Sequence, residues 1–363
     1  MSSRHPPHHP GLVIVRWPWR WPGSLLQALL VLAILALSGC SRPSPPVTLG
    51  GIAFYSMAWQ VKLRELPSGV TATALQAELQ TELDAINRAL STYQPDTELM
   101  RFNASPVGTP VGVSPILLQA LQPALAVSAA TDGRYDVTIG PLVNLWGFGA
   151  QGRPERVPDA AAIAAARARV GWQHLQLDAA MRELTRQRDL FVDLSSVGEG
   201  VAVDRLVAVL ERRGVQDYLV GVAGTLRTRG LRPDGQSWQL AVEQPDGSGR
   251  VARRLNLPGG GAISTSGSYR NYFEQDGVRY SHTIDPRSGR PVSHHGVSVT
   301  VMLAPGKAVA TADAWATALN VLGPQDGLVL ANRLNLAALF IAREQGRFTH
   351  YVSDAAKPLL TSP

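Results

Sequence analysis

Apolar residues follow two different periods in this chain, and the alternation between these periods constrains its fold more than any other feature. From Ala72 to Leu90 they recur every three or four residues. This spacing predicts an amphipathic helix whose buried face carries Leu75, Leu79, Leu83, Ile86 and Leu90. The run from Trp59 to Leu66 that precedes it predicts a strand.

Two further helices carry clear start and stop signals. Ser114 is a suitable N-cap with Pro115 at the first helical position, and Thr131-Asp132-Gly133 ends this second helix. Asp159 likewise caps an Ala-rich helix that Gly171 closes.

Short β-rich runs and two later helices complete the pattern. The predicted strands are 190–194, 218–222, 238–242 and 297–301, the predicted helices lie at about 200–213 and 310–322, and Asp276-Gly277 indicates a hairpin turn. Hairpin-like strand pairs beside separate helices favour an α+β fold over a strict βαβ alternation. No Pro- or Gly-rich linker divides the region, so we predict a single domain.

A basic and then apolar leader opens the chain. The segment RWPWRWP at 16–22 is followed by mostly apolar residues at 25–37 and by the small residues Ser38 and Gly39. Such a helix spans about 20 Å against about 30 Å for a bilayer core, which favours a signal peptide over a retained anchor. Leu37-Ser38-Gly39-Cys40 resembles the bacterial lipobox. We therefore predict a lipoprotein signal peptide at 1–39, a lipidated Cys40 with a tether at 40–50, and one domain at 51–363.

Composition excludes several classes of protein. The 34 Lys and Arg against 28 Asp and Glu leave a formal charge of +6, with three of the arginines in the acid-free leader. Basic and acidic residues alternate elsewhere, which argues against nucleic-acid binding. The single cysteine excludes a disulfide framework and a Cys-based zinc site within the chain.

The segment FVDLSSVGEG at 191–200 places Asp193 and Glu199 at a strand-to-helix junction. Free N–H groups and the helix dipole favour an anionic ligand there. A dinucleotide fingerprint requires a third glycine where this chain has Val203, so that interpretation is weak. The competing structural interpretation is that the two acids cap the helix start.

Two later segments carry polar groups that are weak signals individually. Residues 264–272 concentrate hydroxyls around Arg270, a composition suited to phosphate oxygens. His282 lies in a turn-rich segment and is the side chain best suited to proton transfer near neutral pH, although a lone histidine is more often structural. The adjacent His294 and His295 cannot both face one metal ion and are interpreted as surface loop residues.

Asp313 and Thr317 lie four residues apart on a predicted helix and so share one face. A carboxylate and a hydroxyl on one face suit Mg²⁺, which takes one or two protein carboxylates together with substrate phosphate. The alternative is a helix-start acid with a threonine hydroxyl bonded back to the backbone.

Five blocks in this order resemble the FAD:protein FMN transferase family, also called ApbE. They are DVTIGPLVNLWGFG at 136–149, VDLSSVGEG at 192–200, STSGSYRNYF at 264–273, SHTIDPRSGRPV at 281–292 and ADAWATAL at 312–319. The resemblance covers nearly the whole mature chain. It implies a T-fold-like α+β domain of mixed antiparallel sheets and helices. It further implies a periplasmic lipoprotein that splits FAD, attaches FMN to a Thr or Ser of a target protein through a phosphoester bond, and releases AMP.

The resemblance also implies roles for individual residues. Those expected to contact FAD are Met57, Tyr93, Arg134, Tyr135, Asp136, Asp193, Glu199 and Ile284. Mg²⁺ is expected on the backbone carbonyl of Ser196 and the side chains of Asp313 and Thr317, and His282 is the expected catalytic base. Three positions depart from many relatives: Thr225 stands where they have Asp, Glu199 where they have Lys, and Ala316 where some have a second acid.

The implied acceptors are flavin-carrying subunits of membrane redox complexes of the sodium-pumping NADH:quinone reductase and Rnf types. The implied location is the periplasmic side of the inner membrane, with the chain anchored by its lipid. Two other activities remain open from the residues: a Mg²⁺-dependent FAD pyrophosphatase that passes FMN to water, and a non-catalytic flavin-binding lipoprotein.

Overall fold

The computed structural model describes residues 45–150, 152, 157–268 and 271–361. The predicted signal peptide, Cys40, and Tyr269 with Arg270 lie outside these residues. Ser44–Pro363 form one compact unit. Within the described ranges, no helix is both long enough and apolar enough to cross a membrane.

Seven α-helices are present in the described residues. In chain order they are α1 Ala72–Leu90, α2 Glu98–Ala104, α3 Pro115–Ala130, α4 Gly140–Leu145, α5 Ala160–Arg167, α6 Ser195–Arg212 and α7 Val309–Arg333. Short 3₁₀ turns occur at Trp172–His174 and Asp354–Leu359.

The strands of the same residues are grouped into one large sheet and four small ones. In chain order they are β1 Val47–Ala53, β2 Met57–Leu63, β3 Val111–Gly112, β4 Leu175–Asp178, β5 Glu183–Arg186, β6 Tyr218–Val222, β7 Thr225–Arg229, β8 Leu240–Glu243, β9 Val251–Leu255, β10 Gly260–Gly267, β11 Tyr272–Gln275, β12 Val278–Ser281, β13 Ile284–Asp285, β14 Arg290–Pro291, β15 Gly296–Leu303, β16 Ala337–Glu344, β17 Arg347–Val352 and β18 Leu360–Thr361.

The large sheet has the order β1-β2-β6-β7-β10-β15-β16-β17, with every neighbouring pair antiparallel. One face packs against the helices, where Ala262, Val301 and Phe340 join the main hydrophobic core. The opposite face carries Ile263 and Met302 in a second core, which the small sheet β18-β9-β8 covers. Because side chains alternate along β10, Ser264 points to the helix side, and this places it near the carboxylates described below.

The predicted α+β class with antiparallel sheets is confirmed. Helix α1 has the predicted bounds, Ser114 caps α3 with Pro115 inside its first turn, and Asp276-Gly277 forms the β11–β12 turn with positive φ at both residues. Strand β6 also has its predicted bounds, and β2, β8 and β15 overlap their predicted runs.

Three predictions of elements were wrong in part. Residues 190–194 are not a strand, because the Asn103 amide satisfies the Val192 backbone by donating to its carbonyl and accepting from its N–H, both at 2.8 Å. Helix α6 begins earlier than predicted, at Ser195. Helix α7 continues past the predicted end after a break at Gly323, where φ is 78°.

Candidate active site

One cleft of about 680 Å³ gathers all twelve of the described residues that the sequence assigned to a site. Its volume lies in the range typical of ligand sites. It is lined by Met57, Tyr93, Arg134, Tyr135, Asp136, Asp193, Ser196, Glu199, His282, Ile284, Asp313 and Thr317, together with residues that the sequence reasoning did not single out.

The junction that leads into α6 is held by local hydrogen bonds. Asp193 accepts from the Ser195 N–H at 2.9 Å through Oδ1, and its own N–H donates to the Val137 carbonyl at 2.8 Å. Asp193 therefore stabilises the turn, as the capping interpretation predicts, while it also lines the cleft. The two interpretations of this residue are compatible.

A close approach of α6 and α7 brings the carboxylates together. A Cβ on Gly200 would lie 2.5 Å from the Ala310 Cα, so only glycine fits at this crossing. The Gly200 N–H donates to Asp313 Oδ2 at 2.8 Å. Asp204 of α6 accepts from the N–H groups of Val309 and Ala310 at 2.9 and 3.0 Å, which fixes the start of α7.

This contact makes Gly200 and Gly198 a matched pair for a stability measurement. Gly200→Ala should lower the free energy of unfolding by about 1–3 kcal/mol, because the new methyl group meets backbone atoms that must shift. Gly198→Ala has open space around the new Cβ, so it should raise the free energy of unfolding by up to about 1 kcal/mol through the higher helix propensity of alanine. Urea denaturation measures both, and equal effects of the two variants would contradict the proposed close packing.

Asp313 is a buried carboxylate of the cleft, at 8% exposure. Its Oδ1 accepts from the Ser264 hydroxyl at 2.9 Å, and the Thr225 hydroxyl lies 3.5 Å from the same oxygen. Thr225 also donates to Glu199 Oε2 at 3.1 Å. Burial, and then the charge of Glu199, raise the pKa of Asp313 well above its usual range, and burial also raises the pKa of Glu199.

This carboxylate pair provides a test of whether a cation fits. Neither lysine nor arginine is among the groups that shift either pKa. Buried charges are normally paired or bound to a metal, so two neighbouring carboxylates of raised pKa suit a hard cation. Among the described residues, however, no group of three or more His, Cys, Asp or Glu side chains could hold a metal by itself. Any Mg²⁺ here must complete its shell with hydroxyl, carbonyl, water or phosphate oxygens.

The two other predicted metal ligands offer such oxygens. In the described structure the Thr317 hydroxyl is not bonded to the Asp313 carbonyl, and Thr317 lines the cleft. In a regular helix the Gly200 N–H points at the Ser196 carbonyl, but here it donates to Asp313. Ser196 lies one helical turn before Gly200, at the start of α6, and lines the cleft.

His282 is half-buried on the opposite wall of the cleft and has a defined tautomer. Its Nδ1 lies 3.0 Å from the Asn271 carbonyl oxygen, and its backbone N–H donates to the same oxygen at 3.1 Å. Since a carbonyl only accepts, Nδ1 carries the proton and Nε2 retains its lone pair. Burial lowers the pKa of His282, so the neutral form that can accept a proton persists below the usual range.

An aromatic cluster supports the wall that holds His282. Trp146 stacks on Tyr280 at 5.6 Å between ring centroids, Phe273 stacks on Tyr280 at 5.0 Å, and Phe148 meets the His282 ring edge-on at 6.3 Å. Ile284 is buried in the same cluster. The cluster joins two of the five sequence blocks, because Trp146 and Phe148 belong to the first and Phe273 to the third.

The wall predicted to contact FAD has both anchored and open polar groups. Asp136 is anchored, because its carboxylate accepts from the Thr138 N–H, the Thr138 hydroxyl and the Trp172 N–H at 2.7 to 3.0 Å. The Tyr135 hydroxyl shares a 2.8 Å hydrogen bond with Ser196 Oγ, and burial raises the pKa of Tyr135. The Tyr93 hydroxyl donates to the Phe148 carbonyl at 3.1 Å, with its ring 57% exposed.

Sequence reasoning missed the roles of two further groups of residues. The hydroxyl oxygens of Thr225 and Ser264 lie 2.8 Å apart between the two carboxylates, and the departure from Asp at Thr225 was the only signal. The fully buried Asn320 donates to the Thr283 hydroxyl at 3.1 Å and so ties α7 to the turn of His282. Placing His294 on the surface was wrong: it is half-buried and its Nε2 donates to the Asn320 carbonyl at 2.8 Å.

Known proteins resemble this chain over most of its length. The model of the ApbE family matches residues 55–340. The FAD:protein FMN transferase of Vibrio cholerae serotype O1 is 39% identical over 330 residues, which cover 91% of this chain and 97% of that protein. The FAD:protein FMN transferase of Salmonella typhimurium is 41% identical over 345 residues, which cover 93% and 97%.

Solved structures agree with these relatives. The flavin transferase ApbE of Vibrio cholerae superposes with a TM-score of 0.79 at 38% identity, covering 87% of this chain and 100% of that one. The apo form of the flavinyl transferase ApbE of Pseudomonas stutzeri superposes with a TM-score of 0.78 at 42% identity, covering 86% and 96%.

Proposed function

The chain belongs to the ApbE family, and we propose that it transfers FMN from FAD to a hydroxyl group of an acceptor protein in a Mg²⁺-dependent reaction that releases AMP. The activity named for its relatives supports the transferase assignment. The observation that carries it to this chain is the placement of His282, with an unprotonated Nε2, in the same cleft as the buried Asp313.

The proposed step is a substitution at the phosphorus on the FMN side of the FAD pyrophosphate. The oxygen of the acceptor Thr or Ser forms a bond to this phosphorus, while the bond to the bridging oxygen breaks and that oxygen leaves with AMP. His282 Nε2 takes the proton of the attacking hydroxyl. The Asn271 carbonyl keeps the ring in the tautomer that can do so.

Asp313, Thr317 and the Ser196 carbonyl would hold Mg²⁺. When bound, this ion would supply positive charge to pyrophosphate oxygens and so favour departure of AMP. Glu199 adds negative charge to the same site, while Thr225 and Ser264 orient Asp313 through their hydroxyls. Tyr93, Arg134 and Met57 line the part of the cleft proposed for the flavin nucleotide.

Mass spectrometry tests the function directly. Residues 41–363 are incubated with FAD, Mg²⁺ and a membrane extract of the source cells, with an EDTA control. A protein that gains the mass of an FMN phosphoester, with equimolar AMP, supports the transferase. Free FMN and AMP without a labelled protein would show a pyrophosphatase instead, and intact FAD would show a flavin-binding protein.

We also propose that Cys40 carries a lipid that holds the enzyme on the periplasmic side of the inner membrane. There it would meet flavin-carrying subunits of NADH:quinone reductase or Rnf type. The support is the lipobox-like sequence that ends at Cys40. In cells that are fed labelled palmitate, the full wild-type chain should carry the label and stay in the membrane fraction. The Cys40→Ala variant should carry no label and leave that fraction, and equal labelling of both proteins would refute the anchor.

A further inference from the structure

One wall of the cleft has no part in the reaction proposed above. It consists of β8 and of side chains on the neighbouring face of the large sheet, namely Leu226, Leu240, Ala241, Val242, Ile263 and Thr265. None of the residues assigned to FAD, to Mg²⁺ or to proton transfer lies on it. The acceptor protein, in contrast, must reach the same cleft and has no assigned surface.

Strand β8 presents its edge to this cleft. It is the last strand of the small sheet β18-β9-β8 within the described residues. All four of its residues, Leu240 to Glu243, line the cleft. Successive side chains of a strand point to opposite faces, so four consecutive lining residues mean that the edge, rather than one face, borders the cavity.

The hydrogen bonds of β9 show which backbone groups lie on that edge. The Asn256 N–H donates to the Leu359 carbonyl at 2.8 Å, on the side of β18. Backbone groups of successive residues in an antiparallel strand point to alternate sides. Arg254 therefore points to β18 as Asn256 does, and Leu255 points to β8.

The β8–β9 register then determines which backbone groups of β8 point toward β9 and which point away. Leu240 lies opposite Leu255 and Ala241 lies opposite Arg254. Residues opposite each other in an antiparallel pair exchange both hydrogen bonds or neither. Leu240 is consequently bonded to β9, whereas Ala241 directs its N–H and carbonyl away from β9, to the side on which β8 has no neighbouring strand within the described residues.

We infer that this edge binds the hydroxyl-bearing segment of the acceptor protein as an added strand, paired to the N–H and carbonyl of Ala241. The inference rests on the proposed transferase function, which requires a polypeptide substrate. A pairing strand places alternate side chains against Leu226 and Ile263, so the segment should be extended with small or apolar residues at every second position. The cleft is continuous from Ala241 to His282, which allows the segment to carry its hydroxyl to the base.

The first test alters only the acceptor. A short peptide around the hydroxyl labelled in the flavinylation assay is prepared with one N-methylated amide at a time. Each amide that pairs with the edge should raise the KM for the peptide by about 10-fold when methylated, with a period of two residues. A flat profile across the peptide would overturn the proposal.

The second test alters only the edge. Ala241→Pro removes one outward N–H without touching the β8–β9 hydrogen bonds, and should raise the acceptor KM by about 10-fold with unchanged FAD affinity. Val251→Ala changes an exposed side chain of β9 that does not line the cleft and is the control, with an unchanged acceptor KM expected. Equal KM values for wild type and Ala241→Pro would refute the inference. It would also be refuted if Ala241→Pro altered only the self-association of the protein, because the edge would then bind a second copy of this chain.

These tests separate the inference from the proposed function. If the wild type produces no FMN-labelled acceptor, the transferase proposal fails by itself. If the wild type labels the acceptor but neither methylation nor Ala241→Pro alters KM, only the docking proposal fails.

Discussion

Asp313→Asn should reduce FMN transfer by about 10³-fold, because it removes a buried carboxylate of the cleft that is proposed to hold Mg²⁺. Asparagine has the shape of aspartate and can still accept from the Gly200 N–H, while Ser264 can accept from its amide. The loss should therefore reflect charge rather than misfolding. Initial rates of AMP release measured against Mg²⁺ concentration provide the check.

The same variant should change how stability depends on pH. The folded-state pKa of Asp313 is raised, so its contribution is fully present below the unfolded value of about 4 and is lost as pH rises through the raised pKa. Metal-free wild type should therefore lose thermal stability with rising pH above about 4, and Asp313→Asn should lose less. Added Mg²⁺ should restore wild type only.

A control variant tests whether the loss is specific to this carboxylate. Asp354→Asn removes an exposed carboxylate of a surface ion pair with Lys357 and should leave transfer unchanged. Full transfer by Asp313→Asn, or a Mg²⁺ dependence equal to that of wild type, would remove Asp313 from the metal site.

His282→Ala should lower the transfer rate by about 10²- to 10⁴-fold, the usual contribution of a positioned general base. The affinity for FAD should stay near that of wild type, because the proposed role of His282 is to accept a proton and not to hold the nucleotide. Transfer is measured by FMN fluorescence of the labelled acceptor, and FAD binding by equilibrium titration.

The role of His282 also predicts how the transfer rate of wild type depends on pH. The neutral ring is the competent form, and burial lowers the pKa of His282. The pH at which the rate falls to half of its plateau should consequently lie below about 6.5, the pKa of a free histidine. A midpoint above that pH would contradict the structure.

His295 offers a matched control for His282. It is exposed, and the hydrogen bond it makes through its carbonyl to the Arg343 N–H does not involve the ring. His295→Ala should therefore transfer FMN at the wild-type rate. If His282→Ala also kept that rate, another group would have to be the base.

Several elements could be predicted because their signals are local. The stripe of α1, the Ser114 cap of α3 and the Asp276-Gly277 turn each depend on residues within a few positions of one another. The prediction failed where a residue distant in sequence provided the backbone hydrogen bonds. At Val192 the side-chain amide of Asn103 makes the two hydrogen bonds that a neighbouring strand would otherwise make.

The residues of the candidate site divide in the same way. The i, i+4 spacing singled out Asp313 and Thr317, and the resemblance to the ApbE family implied the other residues of the twelve that line one cleft. Nothing near Thr225 or Asn320 in sequence indicates that their side chains reach Asp313 and Thr283, since these contacts join elements far apart in the chain.

The sequence by itself determined the class of fold and most of the elements, because periodicity is a property of neighbouring residues, and its resemblance to the ApbE family implied most of the residues that meet in the cleft. Only the tertiary structure decided their chemical states. Packing at Gly200 joins α6 to α7, burial beside Glu199 raises the pKa of Asp313, and the Asn271 carbonyl selects the tautomer of His282. Charge, protonation and close approach depend on what surrounds a side chain in space, and packing alone determines those surroundings.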